Sequence, residues 1–206
     1  MKITKQNMDT LAWEKGDGLL PCIVQDARSG VVLMQGFMDE AALTKTLDTR
    51  FVTFFSRSKQ RLWTKGESSG HTLELVDISA DCDVDSILAL ATANGPTCHK
   101  GTTSCYNDAA YSDFSFIAEL ENVLSGRKGG NPEESYTAFL YDKGIKRIAQ
   151  KVGEEGVEAA LAAAVKDKEE LKNESADLLY HLIVLLQASD LSLKDVIHVL
   201  KARHSE

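Results

Sequence analysis

The residues Asp81-Cys82-Asp83-Val84-Asp85 place three carboxylates and a thiol within one short segment. Read as a strand, the segment points Asp81, Asp83 and Asp85 to one face and Cys82 to the other. Three converging carboxylates suit Mg²⁺, a hard cation, whereas a thiolate suits the softer Zn²⁺. Cys98 and Cys105 follow, with His99 beside the first of them. Three thiolates leave the fourth tetrahedral position open, which is the pattern of a catalytic zinc site. An acidic turn alone is usually a solvated loop, and a lone cysteine is usually core packing. The concentration of these residues favours metal. Cys22 stands apart in an apolar run and reads as core. His99 offers either a fourth ligand or a general base.

A second group is Gly153-Glu154-Glu155-Gly156-Val157-Glu158, followed by Glu174-Ser175-Ala176-Asp177. On a helix Glu155 and Glu158 share a face at i,i+3, and Glu174 and Asp177 repeat that spacing on the next helix. Antiparallel packing would gather four or five carboxylates, which repel one another unless a cation lies between them. Their apolar neighbours, among them Val157, Leu161, Leu178 and Ile183, argue against two merely solvated faces. Mg²⁺ is the expected ion.

The segment from Phe55 to His71 is basic and rich in hydroxyls and glycine. Arg57, Arg61 and Lys65, Ser56, Ser68 and Ser69, and the backbone at Gly66 and Gly70 form a set that can hold a phosphate. A solvated basic hairpin fits the composition equally well. Trp63 either stacks a base or packs in the core. No P-loop pattern occurs.

These residues need elements to position them, and the chain has two different patterns. Before residue 110, β-branched and aromatic runs at 19–26, 31–37, 51–56, 73–79 and 87–93 predict strands, separated by glycine-containing turns. One helix is expected over 39–47, with Asp39 as N-cap. After residue 113 the apolar spacing becomes helical. Helices are expected over 114–124, over 135–164 with a break near Gly144, over 169–189, and over 192–204 with Ser192 as N-cap. The fold class is therefore two domains, an α+β domain of mainly strands at 1–110 and an all-α bundle at 111–206, joined in the polar stretch 107–112.

Two resemblances rest on these motifs. Ser56-Arg-Ser, Leu62-Trp-Thr-Lys-Gly-Glu-Ser-Ser-Gly-His71, Asp81-Cys-Asp-Val-Asp85, Cys98-His-Lys-Gly101 and Ser104-Cys105 resemble phosphoribosyl-AMP cyclohydrolase over about 20–106. That likeness implies zinc on Cys82, Cys98 and Cys105, and magnesium on Asp81, Asp83 and Asp85. It also implies a homodimer whose zinc site draws on both subunits, and substrate contacts at Ser56, Arg57, Trp63, Lys65, Gly66, Ser69, Gly70 and His71. The run Lys146-Arg-Ile-Ala-Gln-Lys-Val-Gly-Glu-Glu-Gly-Val-Glu158 is similar to phosphoribosyl-ATP pyrophosphohydrolase over about 114–204. It implies Mg²⁺ on Glu155, Glu158, Glu174 and Asp177, a base among Glu154, Glu155 and Glu158, and phosphate contact by Lys151.

Together the likenesses imply hydrolysis of phosphoribosyl-ATP to phosphoribosyl-AMP and pyrophosphate. Opening of the adenine ring at N1–C6 by a zinc-activated water would follow, with His99 moving the proton. Rival readings are a general nucleotide-cleansing enzyme whose cysteines hold a structural zinc, a chain with one inactive half, and a metal-binding protein without activity.

Composition sets the outer limits. With 23 basic against 31 acidic residues, net charge −8, and no basic stripe, the chain does not look like a nucleic-acid binder. Small nucleotides, met through metal ions, are the expected partners. No apolar run approaches the roughly 20 residues of a membrane span. The opening residues lack the apolar core of a signal peptide, so the cytoplasm is the expected location.

Overall fold

A computed structural model describes residues 1–109 and 111–204, and the chain packs as two units, Met1–Phe116 and a second beginning at Ile117. The expected boundary at residue 110 falls on Ala110, outside the described residues.

The first unit is built on a four-stranded sheet of β1 (Leu20–Asp26), β2 (Val32–Met38), β5 (Leu73–Ala80) and β6 (Ile87–Ala93), in the order β2-β1-β6-β5. β1 pairs antiparallel with β2 and parallel with β6, with Cys22 opposite Ile87. Along β1, Leu20, Cys22 and Val24 alternate into the core, the period-2 burial that a half-buried strand requires. The Cys22 thiol is fully buried, and desolvation pushes its pKa up to about 12, so it is inert packing.

The expected helix forms as α1 (Glu40–Thr49), and Asp39 caps it by accepting from the Ala42 N–H at 2.7 Å. β3 (Thr53–Ser56) pairs with a strand not expected from the sequence, β4 (Arg61–Thr64), as a separate two-stranded ribbon. β4 escapes a periodicity reading because it is only four residues long, and it is held by its ladder to β3 and by Trp63 stacking on Phe54 at 5.7 Å.

The strand expected over Asp81–Asp85 is instead a turn between β5 and β6. Asp81 Oδ1 accepts from the N–H groups of Asp85 and Ser86, both at 3.1 Å. Val84 has φ 55°, a left-handed conformation rare for a β-branched residue.

The second unit contains α2 (Ser115–Ser125), α3 (Tyr136–Lys143), α4 (Ile145–Val165), α5 (Lys168–Ala188) and α6 (Leu193–Arg203). Gly144, at φ 80°, separates α3 from α4 as expected. Lys166 and Asp167 turn α4 back onto α5, and the Asp167 carboxylate caps α5 through the N–H groups of Glu169 and Glu170. Leu124, Leu140, Ile148, Ile183 and Val184 form the core of this unit. Ser192 and Asp195 close a capping box at the start of α6. Among the described residues, no helix is long and apolar enough to cross a membrane.

Candidate functional site

Two sites emerge, one in each unit. In the first unit the β3–β4 ribbon and two loops enclose a cleft of about 440 Å³. Trp63, Lys65, Gly66, Ser68, Ser69, His71, Cys98, His99 and Cys105 all line it, so nine of the sequence-predicted residues converge. The loop carrying the cysteines is tied down at both ends. The Cys98 N–H donates to Thr102 O at 3.0 Å, the Cys105 N–H donates to Leu33 O at 2.8 Å, and the Ser104 hydroxyl donates to Val32 O at 2.7 Å.

The thiol-bearing residues Cys98 and Cys105 line the same cleft. Backbone donation from Lys100, with help from Thr102 and Cys105, holds the Cys98 thiol below its ordinary range. Burial pushes the Cys105 thiol up. The pair is therefore asymmetric, with Cys98 the readier thiolate. His99 Nδ1 lies 3.9 Å from Cys98 Sγ. A residue the sequence reading missed also lines the cleft: Thr97, 4% exposed, whose buried hydroxyl has no partner among the described residues. Burial alone reveals it, because an isolated threonine carries no sequence signal.

Gly66 is a steric necessity. At φ +85° an added Cβ would lie 2.5 Å from both the carbonyl carbon and oxygen of His71. Gly66→Ala is expected to cost about 2 kcal/mol or more through strain alone. A differential scanning experiment should read this as a fall of roughly 5–10 °C in the first unit's midpoint.

Other predicted residues lie outside the cleft. Ser56 lines a smaller pocket of about 260 Å³. The Arg57 guanidinium sits 3.9 Å over the Phe37 ring, which is a packing role within one chain. Gly70 supplies a positive-φ turn and takes no place in the lining.

Cys82 does not join the other two cysteines. The Cys82 thiol lies 3.8 Å from Asp83 Oδ1, and among the described residues no group of close ligand atoms unites the three sulfurs. The Asp81, Asp83 and Asp85 carboxylates do converge, with ligand atoms within 4.8 Å of one another. They meet through the turn and not through strand alternation. Lys15 Nζ bridges Asp83 Oδ2 and Asp85 Oδ2, each at 3.0 Å, and holds the Asp83 carboxyl below the usual carboxylate range.

In the second unit, Glu155 and Glu158 of α4 and Glu174 of α5 bring ligand atoms within 4.8 Å. Asp177 and Glu154 are not in this group, so three carboxylates gather where four or five were expected. Asp177 lies three residues beyond Glu174 on α5, and its backbone carbonyl meets His181 Nδ1 at 2.8 Å. Glu154 is held by Lys151 at 3.0 Å, Arg147 at 3.6 Å and Gln150 at 2.7 Å. Lys151 Nζ also lies 2.5 Å from Glu155 Oε1. Its hydrogen bonds hold the carboxyls of Glu154 and Glu155 low.

Glu174 behaves oppositely. Desolvation, then the proton shared with Glu155 and the charge of Glu158, push its pKa up to about 7. Behind Glu155 lies His181, also missed from the sequence. It is 4% exposed, with Nδ1 2.8 Å from Asp177 O and 3.7 Å from Glu155 Oε1, and Nε2 3.2 Å from the Tyr136 hydroxyl.

Comparison with known proteins gives both sites a family. Residues 34–107 match the Phosphoribosyl-AMP cyclohydrolase family, and residues 117–204 match the Phosphoribosyl-ATP pyrophosphohydrolase family. The chain is 59% identical over 202 residues to the histidine biosynthesis bifunctional protein HisIE of Salmonella typhimurium, covering 98% of this chain and 99% of that one. It is also 59% identical to the HisIE protein of Shewanella oneidensis, covering 98% of this chain and 95% of its relative. Against the Yersinia pestis protein the identity is 58%, with 99% and 100% covered. A strand-rich unit with a cysteine cleft, a helical unit with a carboxylate trio, and this similarity along nearly the whole chain place it in the bifunctional histidine-biosynthesis enzyme family, cyclohydrolase first and pyrophosphohydrolase second.

Proposed function

We propose that the second unit hydrolyses phosphoribosyl-ATP with Mg²⁺ held by Glu155, Glu158 and Glu174, and that the first opens the adenine ring of phosphoribosyl-AMP at N1–C6 using zinc held by cysteine. The observation that carries the first half is the carboxylate trio, in which the Lys151 ion pair reaches Glu155 alone. Three acidic groups this close, one with a pKa near 7, suit a hard divalent cation. Lys151, already paired with Glu154 and Glu155, is placed to meet a phosphate at the rim. Glu154, tied to Lys151 and Gln150, makes a poor base. Glu158 and Glu174 are the two carboxylates of the trio with no ion pair among the described residues, Glu155 being held by Lys151.

For the first unit, the soft-donor pair Cys98 and Cys105 fits zinc, and the unpartnered Thr97 hydroxyl fits a ligand in the cleft. Bound zinc supplies Lewis acidity, which makes water a nucleophile near neutral pH. The third thiol, Cys82, would come from a second copy of the chain, which makes the working form a homodimer. Asp81, Asp83 and Asp85 offer oxygen ligands to magnesium. Trp63, half-buried on Phe54, leaves ring surface on the cleft for a base.

His99 carries the proton to and from the reacting ring. Its alanine variant should lose roughly 10²–10⁴-fold in cyclohydrolase turnover while keeping its zinc. Full turnover with full zinc would remove His99 from the mechanism.

The reading as a whole is tested by a mass-spectrometric time course with phosphoribosyl-ATP, Mg²⁺ and trace Zn²⁺. Pyrophosphate should appear first, then a product one water heavier than phosphoribosyl-AMP. Accumulation of phosphoribosyl-AMP alone would contradict the zinc assignment.

A further inference from the structure

Lys65 poses a problem of charge. It is 7% exposed, and its ammonium donates one hydrogen bond, to His71 O at 3.0 Å. Lysines this buried are almost always paired with a negative group, because an ammonium removed from water loses its hydration energy. No carboxylate forms an ion pair with Lys65 among the described residues. Glu67, which shares the cleft, is spent on Arg61: its Oε1 takes the guanidinium at 2.6 Å, and its Oε2 accepts from the Thr64 N–H at 3.3 Å.

Within one chain, and among the described residues, the other groups on this cleft wall able to carry negative charge are Cys98 and Cys105. We propose that Lys65 is the resident counter-charge of the Cys98–Cys105 thiolate pair, a positioning residue that stabilises the zinc-loaded cleft, and that it does not grip a substrate phosphate.

The charge balance supports this assignment, which rests on the zinc reading above. Zinc with three thiolates carries a net charge of −1, and a low-dielectric wall tolerates that better beside a fixed positive charge. The field runs both ways: the thiol positions act on the Lys65 ammonium, and Lys65 favours the thiolate of Cys105. Backbone geometry keeps the ammonium in place. The Lys65 N–H donates to Val52 O at 3.0 Å, and Gly66, which accepts no side chain, lets the loop close so that His71 O meets the ammonium.

The test measures zinc affinity of the full-length protein by competition with a chromophoric chelator, for wild type and for Lys65→Met, Lys65→Gln and Lys65→Arg. Methionine keeps the length without the charge, and a thermal melt of each variant checks that the fold is retained. Glutamine keeps a donor for His71 O but is neutral, and arginine keeps the charge.

Lys65→Met and Lys65→Gln should both bind zinc about 10–100-fold more weakly, the usual effect of losing a group that supports metal ligands. Lys65→Arg should stay within about threefold of wild type by retaining the charge-assisted contact. In cobalt-substituted protein, the thiolate-to-metal charge-transfer band should weaken in the two neutral variants at equal total cobalt. With zinc saturating, KM for phosphoribosyl-AMP should be nearly unchanged in Lys65→Gln.

Unchanged zinc affinity in both neutral variants, or a large rise in KM at saturating zinc, would overturn the proposal in favour of a phosphate contact. Arginine as weak as methionine would also overturn it. A wild-type protein that binds no zinc would instead sink the cysteine-site reading itself.

Discussion

Mixing two inactive variants should restore cyclohydrolase activity. Cys98→Ala and Cys82→Ala are each expected to lose ring opening by roughly 10³-fold or more, because water without zinc loses the acidity that makes it a nucleophile near neutral pH. Pyrophosphate release should continue in both, since the carboxylate trio belongs to the other unit. When the two variants are unfolded and refolded together, half of the dimers should pair one of each kind. In a two-fold symmetric dimer with shared sites, one site of such a pair carries both lesions and the other carries neither. The mixture should therefore recover about a quarter of wild-type turnover. The geometric reason is that Cys82 does not join Cys98 and Cys105 within one chain. Zero recovery would mean that all three thiols act within a single subunit, or that Cys82 binds no metal.

The second large effect concerns Glu155. Glu155→Gln removes a buried ligand and leaves Lys151 without its closest partner. Pyrophosphohydrolase kcat is expected to fall by about 10²–10³-fold, as when a charge-stabilising group in a water-poor site is removed. Cyclohydrolase activity on supplied phosphoribosyl-AMP should not change.

The same cluster sets a pH dependence. The Glu174 pKa rises in the folded state from 4.5 to about 7. Between those values the folded unit holds a proton that the unfolded chain has released, so the metal-free unit loses stability as pH rises across that window. Mg²⁺ competes with that proton. Its affinity should rise by about tenfold per pH unit towards pH 7 and then level off. Isothermal titration at several pH values reads this directly, and a flat profile would place Glu174 outside the metal site.

Much of this arrangement was legible in the residues. Strand alternation along Leu20, Cys22 and Val24, the Asp39 cap of α1, and the break at Gly144 each have one physical cause with a local signature. The carboxylate pair Glu155 and Glu158 was legible for the same reason, because i,i+3 spacing fixes a shared helix face. What failed depended on distant partners. Asp177 shares a helix with Glu174, but its carboxylate is not among the ligand atoms that gather with the trio. The Asp81–Asp85 turn imitates strand spacing, while its carboxylates converge through the Asp81 hydrogen bonds and the left-handed Val84. Thr97 and His181 carry no pattern, and only their burial distinguishes them.

The parallel pairing of β1 with β6 has a consequence for how the protein comes to be made. These two strands sit at the centre of the sheet, yet β2, α1, β3, β4 and β5 all lie between them in the chain. β1 leaves the ribosome early and must wait, with its edge unpaired, until β6 follows. The α4–α5 hairpin closes across two residues and has no such delay. Loop-closure entropy makes the first unit the slow folder and the helical unit the fast one, although the helical unit is synthesised last. During that interval β1 is exposed to pairing with other chains, and a shortage of chaperones would be felt at the sheet well before it reached the helices.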